Sequence, residues 1–475
     1  MNKNRLNIIF IIILIIGIFL RIYRLEETFA FSGEVGDNLL DIKKAYLNGN
    51  LPLLGPPTSH PWLYFGPEYY WIVTPLLIVF GFNPMVIAWL GALGGILVIW
   101  LNYYVIRKLY SSKTALISSF LIAVSPFCIG LARDARFFSL VLVFFYPFWY
   151  NFCKKKLFLT GLFLGLMLSF HYTPLVLVPS VIFTTYILQD KKFVRKVGKF
   201  LVGVILPAIP LIIYSFAGNF EMIRNLMIWL PYRMAGFLGF YPKNNLSLDI
   251  IIKNLISFYN FITRLVLVEQ SPLGFFVLIL FVAIVVYFCS LWFKEKLSEN
   301  VVSLLLFFVF GCVAIFIHGD PPIHYYLPLL PFPIILVSEF ISRQDKKMIY
   351  NVTGSILIIA FVFVNFSYYF SKQYFFLSQR EVLDGYVPYS LQQEISRKII
   401  EDAGIHKFSL SRTGKYDYFE GNYAQNYQYL LWWMGNEPVD DAKLKYTIIE
   451  NGSYRPKKDD RFFKINDIIV LKENI

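Results

Sequence analysis

Three carboxylates lie close together in the segment that follows the first apolar run of the chain: Glu34, Asp37 and Asp41. A carboxylate can take the proton from an acceptor hydroxyl or amine if it sits where donor and acceptor meet. Acidic groups beside a bilayer are costly and are seldom without a function. The segment therefore predicts a general base. The alternative is a set of solvated loop charges, which Asp41 fits best because Lys43 and Lys44 follow it.

Glu34 is the first candidate for this base, and Asp37 is the second. Glycines at positions 33 and 36 flank Glu34, and glycine lets a backbone approach a ligand closely. A polar stretch broken by prolines follows, and an aromatic run then leads back into an apolar segment. We therefore expect an active site at the membrane surface, in the loop over residues 25–68.

A second charged cluster, Arg133, Asp134 and Arg136, lies between two apolar segments. Two guanidinium groups and a carboxylate could bind phosphate or orient the first acid. The alternative is an ion pair at a helix end.

Histidines interrupt later apolar runs at His171, His318 and His324, and Tyr325 follows the last of them. The expected topology puts all three on the same membrane face as the carboxylates. A single histidine there is usually a hydrogen-bonded interface residue, whereas several favour a phosphate or metal site. Their spacing carries no metal-ligand signature, so a divalent metal stays open and no cofactor is certain.

Aromatic residues are dense in the stretch from His60 to Trp71, and they include Tyr64 and Tyr69. Such rings could stack on a sugar or flank a lipid tail, and His60 could add a phosphate contact. The alternative is the aromatic belt that membrane proteins carry at interfaces.

Composition excludes a soluble globular protein. The chain has 475 residues, of which 57% are hydrophobic and 16% charged. The net charge of +13 sits largely in short loops beside apolar runs, which indicates cytoplasmic loops and not nucleic-acid binding. The four cysteines lie in or beside apolar runs as packing residues, so we expect no disulfide and no thiolate metal site.

The pattern predicts an all-α polytopic membrane protein of about eleven spans with a small C-terminal α/β domain. Residues 1–371 form the membrane domain, with an uncleaved first span that starts in the cytoplasm and a long outer loop over residues 218–271. Residues 372–475 form the soluble domain, which we expect outside the cytoplasmic membrane. A helix is predicted over residues 390–403 there, with strands near residues 407–410, 444–450 and 468–472.

The order of motifs resembles a known family. GEVGDN, LLGPPTS and GPEYY in the first outer loop, ARDARFF next, then HYTPLVLVP and HYYLPLLPF match along about residues 1–345. They are similar to the multi-span glycosyltransferases of the C-type fold, relatives of protein O-mannosyltransferases and of the lipid A aminoarabinose transferase. The first loop is the most specific part of this resemblance.

The resemblance implies transfer of a sugar from a polyprenyl-phosphate donor to a protein, lipid or glycan acceptor outside the membrane, usually with inversion. It implies catalytic roles for Glu34, Asp37 and Asp134. Glu34 stands where an Asp is more usual, so Glu34 and Asp37 both stay open as the base. The substrate-binding residues it implies, with those drawn from the aromatic and histidine patterns, are Arg136, His60, Tyr64, Tyr69, His171, His324 and Tyr325.

Two other functions compete with this interpretation. A transporter or flippase of lipid-linked sugars favours paired repeats and broken helices at the membrane midplane, and the sequence contains no repeat. A scaffold that binds a partner through its soluble tail gives no reason for carboxylates and histidines to share one membrane face.

Overall fold

The computed structural model describes residues 3–29, 31–134, 136–189, 193–240, 246–268, 272–343, 363–365, 387–413, 423–450, 454–457 and 460–474. The chain is mostly helical up to residue 343. Its helices are α1 (Lys3–Ile22), α2 (Leu25–Thr28), α3 (Gly33–Leu47), α4 (Glu68–Val79), α5 (Met85–Leu109), α6 (Ser112–Val124), α7 (Pro126–Arg133), α8 (Val141–Cys153), α9 (Leu157–Phe170), α10 (Leu177–Gln189), α11 (Phe193–Ile205), α12 (Ile209–Ala217), α13 (Glu221–Phe237), α14 (Leu248–Arg264), α15 (Pro272–Phe293), α16 (Glu299–Phe316) and α17 (Pro331–Arg343).

Several helices have the length and apolar character of membrane spans, which confirms a multi-pass membrane protein. Within the described ranges five qualify singly, and two pairs bent by 58° and 55° raise the number to seven. Four further apolar helices are shorter. The count of about eleven spans stays a prediction, and the span expected over residues 350–370 lies almost wholly outside the described residues. The five are Asn4–Ile22, Met85–Leu109, Arg195–Ala217, Pro272–Phe293 and Glu299–Phe316.

The bend between α6 and α7 has a local cause. Pro126 cannot donate a backbone hydrogen bond, and the Ser125 hydroxyl caps the new helix. The buried Arg21 of α1 donates to the carbonyl oxygens of Ile122 and Ala123, at 3.0 Å each, which the break leaves without helical partners. The first span is thereby tied to the bent pair.

Helix α3 begins at Gly33, because the Ser32 hydroxyl accepts from the Val35 N–H at 3.4 Å and caps the helix. Val35, Leu39 and Ile42 follow at spacings of four and three and are buried against the membrane helices. This apolar side fixes which face of α3 remains for its acidic residues.

The long outer loop predicted over residues 218–271 contains two helices, α13 and α14. The Ser247 hydroxyl caps α14 by accepting from the Ile250 N–H. Met222 of α13 and the partly buried Leu226 pack with Leu63 of the first outer loop. The contact places α13 beside the predicted active-site loop.

The C-terminal region forms a small α/β domain, as predicted. Its sheet has the order β1-β2-β4-β3, with β1 and β2 parallel and the other pairs antiparallel. Neither β3 nor α19 was predicted, and the expected boundary near residue 372 falls outside the described residues. The elements are α18 (Tyr389–Ala403), β1 (Phe408–Thr413), α19 (Gln425–Trp433), β2 (Leu444–Ile449), β3 (Arg461–Ile465) and β4 (Ile468–Asn474).

Candidate functional site

Helix α3 carries Glu34, Asp37 and Asp41 on one face, since residues three and seven positions apart lie on the same side of an α-helix. We call these three residues the acidic face. The Tyr70 hydroxyl of α4 lies 3.2 Å from the Asn38 side-chain oxygen and 3.4 Å from Asp41 Oδ2. Glu34 interacts electrostatically with the neighbouring Tyr69. The acidic face therefore lies beside the start of α4.

The protein environment makes two of these carboxylates more basic. Burial raises the pKa of Asp37, and the nearby charge of Asp41 raises it further. Burial also raises the pKa of Asp41, although the hydrogen bond with Tyr70 and the charge of Lys44 oppose the shift. A raised pKa brings a carboxylate closer to the basicity that suits proton transfer at neutral pH.

Asp37→Asn is expected to unfold at a temperature equal to or slightly above that of the wild type at pH 7.5. The raised pKa means that the folded state binds the Asp37 proton more tightly than the unfolded state. The free energy of unfolding therefore falls as the pH rises from the pKa of Asp37 in the unfolded state to its higher pKa in the folded state. Asparagine removes that cost, and its advantage should vanish below about pH 3, where the aspartic acid is protonated in both states. The unfolding temperatures of the wild type and of Asp37→Asn, measured in detergent as a function of pH, test this prediction.

The control is Asp249→Asn, which removes an exposed carboxylate on α14 and should show no pH-dependent gain. Lower stability of Asp37→Asn at every pH would contradict the prediction.

The second charged cluster divides into one structural arginine and one ion pair. Arg136 Nε lies 2.8 Å from Asp134 Oδ1, Nη2 contacts the other oxygen, and the guanidinium stacks 4.6 Å from the centre of the Phe138 ring. Arg133 instead donates to the carbonyl oxygens at the end of α1, including that of Tyr23 at 3.0 Å. Arg133 therefore ties this segment to the end of the first span, a structural role that the sequence analysis did not consider for it.

The two histidines of later apolar runs lie side by side. The ring centres of His171 and His324 are 5.8 Å apart, and each lies within 6 Å of Phe138 and Tyr325. The Tyr325 ring also lies 4.8 Å from that of His318. We call Asp134, Arg136, His171 and His324 the Arg136 cluster, because Arg136 acts electrostatically on both histidines.

His171 is neutral at physiological pH. Burial lowers its pKa to about 3, and the charges of His324 and Arg136 act in the same direction. Its Nδ1 accepts from the Thr173 N–H at 3.2 Å, so the ring proton lies on Nε2, which can donate a hydrogen bond. His171 therefore adds a neutral hydrogen-bond donor, and not a second cation, beside Arg136.

A row of aromatic side chains joins the acidic face to the Arg136 cluster. Tyr69, the neighbour of Glu34, has its ring 5.8 Å from Phe137, which lies 5.0 Å from Phe65. The Phe65 ring lies 5.5 Å from His171. Residues that are far apart in the sequence are thus brought to one side of the membrane domain.

His60 and Tyr64 lie at the part of this region that contacts α13. The His60 ring stacks on Trp62 at 5.6 Å and meets Trp229 of α13 edge-on at 5.3 Å. The Tyr64 carbonyl accepts from the Tyr172 hydroxyl. Among the described residues the His60 ring contacts Trp62 and Trp229 and not His171 or His324, so it does not lie directly beside the Arg136 cluster.

Arg233 is a cation that the sequence reasoning missed. Its guanidinium lies over the Trp229 ring at 5.7 Å and 3.5 Å from the His318 carbonyl oxygen, and its charge adds to the burial that lowers the pKa of His318. Met222, Leu226, Trp229 and Arg233 follow one another at helical spacing. This periodicity was the available signal, and it was treated as loop.

Glu68 is a buried carboxylate that the sequence analysis did not select as a site residue. It begins α4, and its Oε2 is buried without a hydrogen-bond partner in the described part of the chain. A side chain at Gly66 would place its Cβ 2.2 Å from this oxygen. The GPE sequence thus makes room for a carboxylate beside Ser169.

Gly36 does not serve the approach of a ligand, which was the reason given for the glycines around Glu34. A Cβ at Gly36 would lie 2.4 Å from the backbone nitrogen of Asn426 and 2.5 Å from the carbonyl carbon of Gln425 in α19. The expectation is therefore wrong for Gly36, because the backbone of the C-terminal domain fills that space.

The described residues contain no group of three or more His, Cys, Asp or Glu side chains that could hold a metal ion.

The sequence is similar to one protein family and to one relative of known sequence. The family described as dolichyl-phosphate-mannose-protein mannosyltransferase matches residues 59–214. An uncharacterized protein of Aquifex aeolicus is 24% identical over 350 residues, which cover 69% of this chain and 62% of that protein. The chain thus spans less than two thirds of the length of this relative.

Two solved structures share the fold. ArnT from Cupriavidus metallidurans bound to undecaprenyl phosphate matches with a TM-score of 0.60 at 10% identity, over 99% of this chain and 98% of that one. The Archaeoglobus fulgidus oligosaccharyltransferase in complex with Zn and sulfate matches with a TM-score of 0.52 at 14% identity, over 92% and 67%. The resemblance predicted from the sequence is thereby confirmed: this is a membrane protein with the C-type glycosyltransferase fold.

Proposed function

We propose that the chain is a glycosyltransferase that takes a sugar from a polyprenyl-phosphate donor and passes it to an acceptor outside the cytoplasmic membrane. The observation that carries the proposal is the acidic face of α3, joined by aromatic side chains to Arg136 and the histidine pair. The shared fold with ArnT bound to undecaprenyl phosphate supports a lipid phosphate as the leaving group.

In the proposed reaction the acceptor hydroxyl or amine loses its proton to Glu34, with Asp37 as the alternative base. The acceptor attacks the anomeric carbon as the bond from that carbon to the phosphate oxygen breaks. The configuration inverts, and the lipid phosphate leaves with the bonding electrons. A positioned carboxylate typically contributes about 10²–10⁴-fold to such a step.

Arg136 is the proposed phosphate contact, because its ion pair with Asp134 and its stacking on Phe138 hold the guanidinium in one place. His171 adds a neutral donor from Nε2, and His324 lies beside it. Arg233 is a proposed second cation. Fixed donors at developing negative charge lower a barrier by several kcal/mol where water is excluded.

Purified protein in nanodiscs, incubated with labelled polyprenyl-phosphate sugars and protein, lipid or glycan acceptors, tests the proposal. We expect free lipid phosphate in step with labelled acceptor, and no transfer by the double variant Glu34→Gln, Asp37→Asn. Movement of the intact donor across proteoliposomes without release of lipid phosphate would overturn the proposal in favour of a transporter.

A further inference from the structure

The C-terminal domain holds the backbone immediately before helix α3. Gln392 of α18 donates from Nε2 to the Phe31 carbonyl oxygen at 2.8 Å, and Asn426 of α19 donates to the same oxygen from Nδ2 at 3.3 Å. Both side chains are almost fully buried, with 2% and 1% exposure. Phe31 precedes Ser32, which caps α3, so these two amides act at the end of the helix that carries Glu34.

The two amides belong to a larger buried network. Asn426 Nδ2 also donates to Gln392 Oε1 at 2.8 Å, and Arg412 Nη1 donates to Asn426 Oδ1 at 3.4 Å. Arg412 is in turn paired with Glu450 at 2.5 Å, to which Tyr427 donates at 2.9 Å. Arg412 lies in β1 and Glu450 directly follows β2, so the amides are anchored to the sheet of the domain. Buried hydrogen-bond networks of this kind restrict the motion of the side chains that form them.

The same domain holds α3 along its other side. Gly36 and Lys43 lie seven positions apart on the face opposite the acidic face. The backbone of Asn426 fills the space where Gly36 would carry a Cβ. Lys43 pairs with Glu437 and lies 4.5 Å from the centre of the Trp432 ring. The acidic face therefore lies on the side of α3 away from the C-terminal domain.

The C-terminal domain also forms hydrogen bonds with the loop after α4. The Tyr429 hydroxyl donates to the Phe82 carbonyl at 2.7 Å, and Trp433 Nε1 donates to the Gly81 carbonyl at 3.1 Å. Helix α19 thus contacts both α3 and the loop that follows α4, and α3 and α4 are the two helices that meet at the acidic face.

We propose that Gln392 and Asn426 are positioning residues for the transfer reaction: they fix the start of α3 and thereby set where Glu34 and Asp37 meet the acceptor. This inference rests on the proposed function. Its physical basis is that a displacement of about 1 Å in a positioned catalytic group can cost on the order of 100-fold in rate. The C-terminal domain is then part of the active centre, and its two amides act through the backbone of Phe31 and helix α3.

Gln392→Glu tests the proposal against the matched control Gln393→Glu. The carboxylate keeps the shape of residue 392 but replaces a donor by an acceptor that faces the Phe31 carbonyl. Gln393 is the next residue on the same helix, and its amide bonds only to Tyr389 within α18 in the described contacts. We expect kcat to fall about 10- to 100-fold in Gln392→Glu, with the donor KM nearly unchanged, and wild-type values for Gln393→Glu.

Hydrogen exchange of the amides of residues 33–37 gives a second readout that needs no turnover. These amides should exchange faster in Gln392→Glu than in the wild type and in the control. Gln392→Met, which removes the donor without adding a charge, covers the case in which the buried glutamate prevents folding.

Wild-type kcat and wild-type exchange in both Gln392 variants would overturn the proposal. A fall in kcat without faster exchange at residues 33–37 would also overturn it. Failure of the proposed function would look different, because the wild type itself would transfer no sugar while the exchange experiment still tested the contact.

Discussion

Glu34→Gln is expected to give a folded, membrane-inserted protein that no longer transfers sugar, with a loss of about 10²–10⁴-fold in kcat. Glutamine keeps the shape of the side chain and removes the group that takes the proton. Glu34 lies in the first turn of α3 beside Tyr69, on the end of the acidic face nearest the anchored Phe31. Single-turnover transfer from a labelled donor measures the loss, and insertion is checked by thermal unfolding in the same detergent.

Asp37→Asn and Asp41→Asn are the matched comparisons, since both lie on the same face of α3. Asp41 is the most exposed of the three residues and is engaged by Tyr70, so its amide variant should retain most activity. Full activity in Glu34→Gln together with an inactive Asp37→Asn would contradict the prediction and move the base to Asp37.

The elements of the fold were readable from local pattern because each was encoded by neighbouring residues. The spacing of Val35, Leu39 and Ile42 encodes the buried side of α3, and Ser32 encodes its start as a cap that the sequence analysis did not consider. Long apolar runs gave the membrane helices. Strand β3 and helix α19 were missed because β3 is short and largely exposed and α19 has little amphipathic contrast, so neither has a strong period.

The roles of single side chains were less predictable, because their partners are remote in the sequence. Arg133 looked like a phosphate ligand, yet its carbonyl partners lie in the segment that ends the first span. Gly36 looked like a glycine for ligand approach, yet its neighbour is Asn426 in the C-terminal domain. The residue types indicated that both positions make particular contacts. Only the tertiary structure shows which residues those contacts are with.

For the histidines, the sequence indicated the location but not the charge state. Their common membrane face followed from the expected topology, and the rings of His171 and His324 indeed lie side by side. Their charge did not follow from the sequence, because burial lowers the pKa of His171 to about 3. We therefore propose arginines for the cationic role, because burial does not remove their charge.

Arg136→Gln is accordingly expected to lower kcat/KM for the lipid-phosphate donor by on the order of 100-fold, because it removes a fixed cation and donor from the place where the phosphate leaves. Arg136→Lys should recover only part of this loss. A lysine keeps the charge but cannot present two parallel donors to Asp134 or to a phosphate. Initial rates at several donor concentrations give kcat/KM, and inhibition by the free lipid phosphate reports directly on phosphate binding.

The control for this prediction is Arg343→Gln, which breaks a similar arginine–carboxylate pair, 2.8 Å from Glu339 on α17, outside the Arg136 cluster. If Arg136 acts only as a structural partner of Asp134, both variants should lose stability alike and bind the lipid phosphate like the wild type. If Arg136 binds the leaving group, inhibition by lipid phosphate weakens in Arg136→Gln alone. The comparison separates an ion pair that is only structural from one that holds a cation in place for the donor.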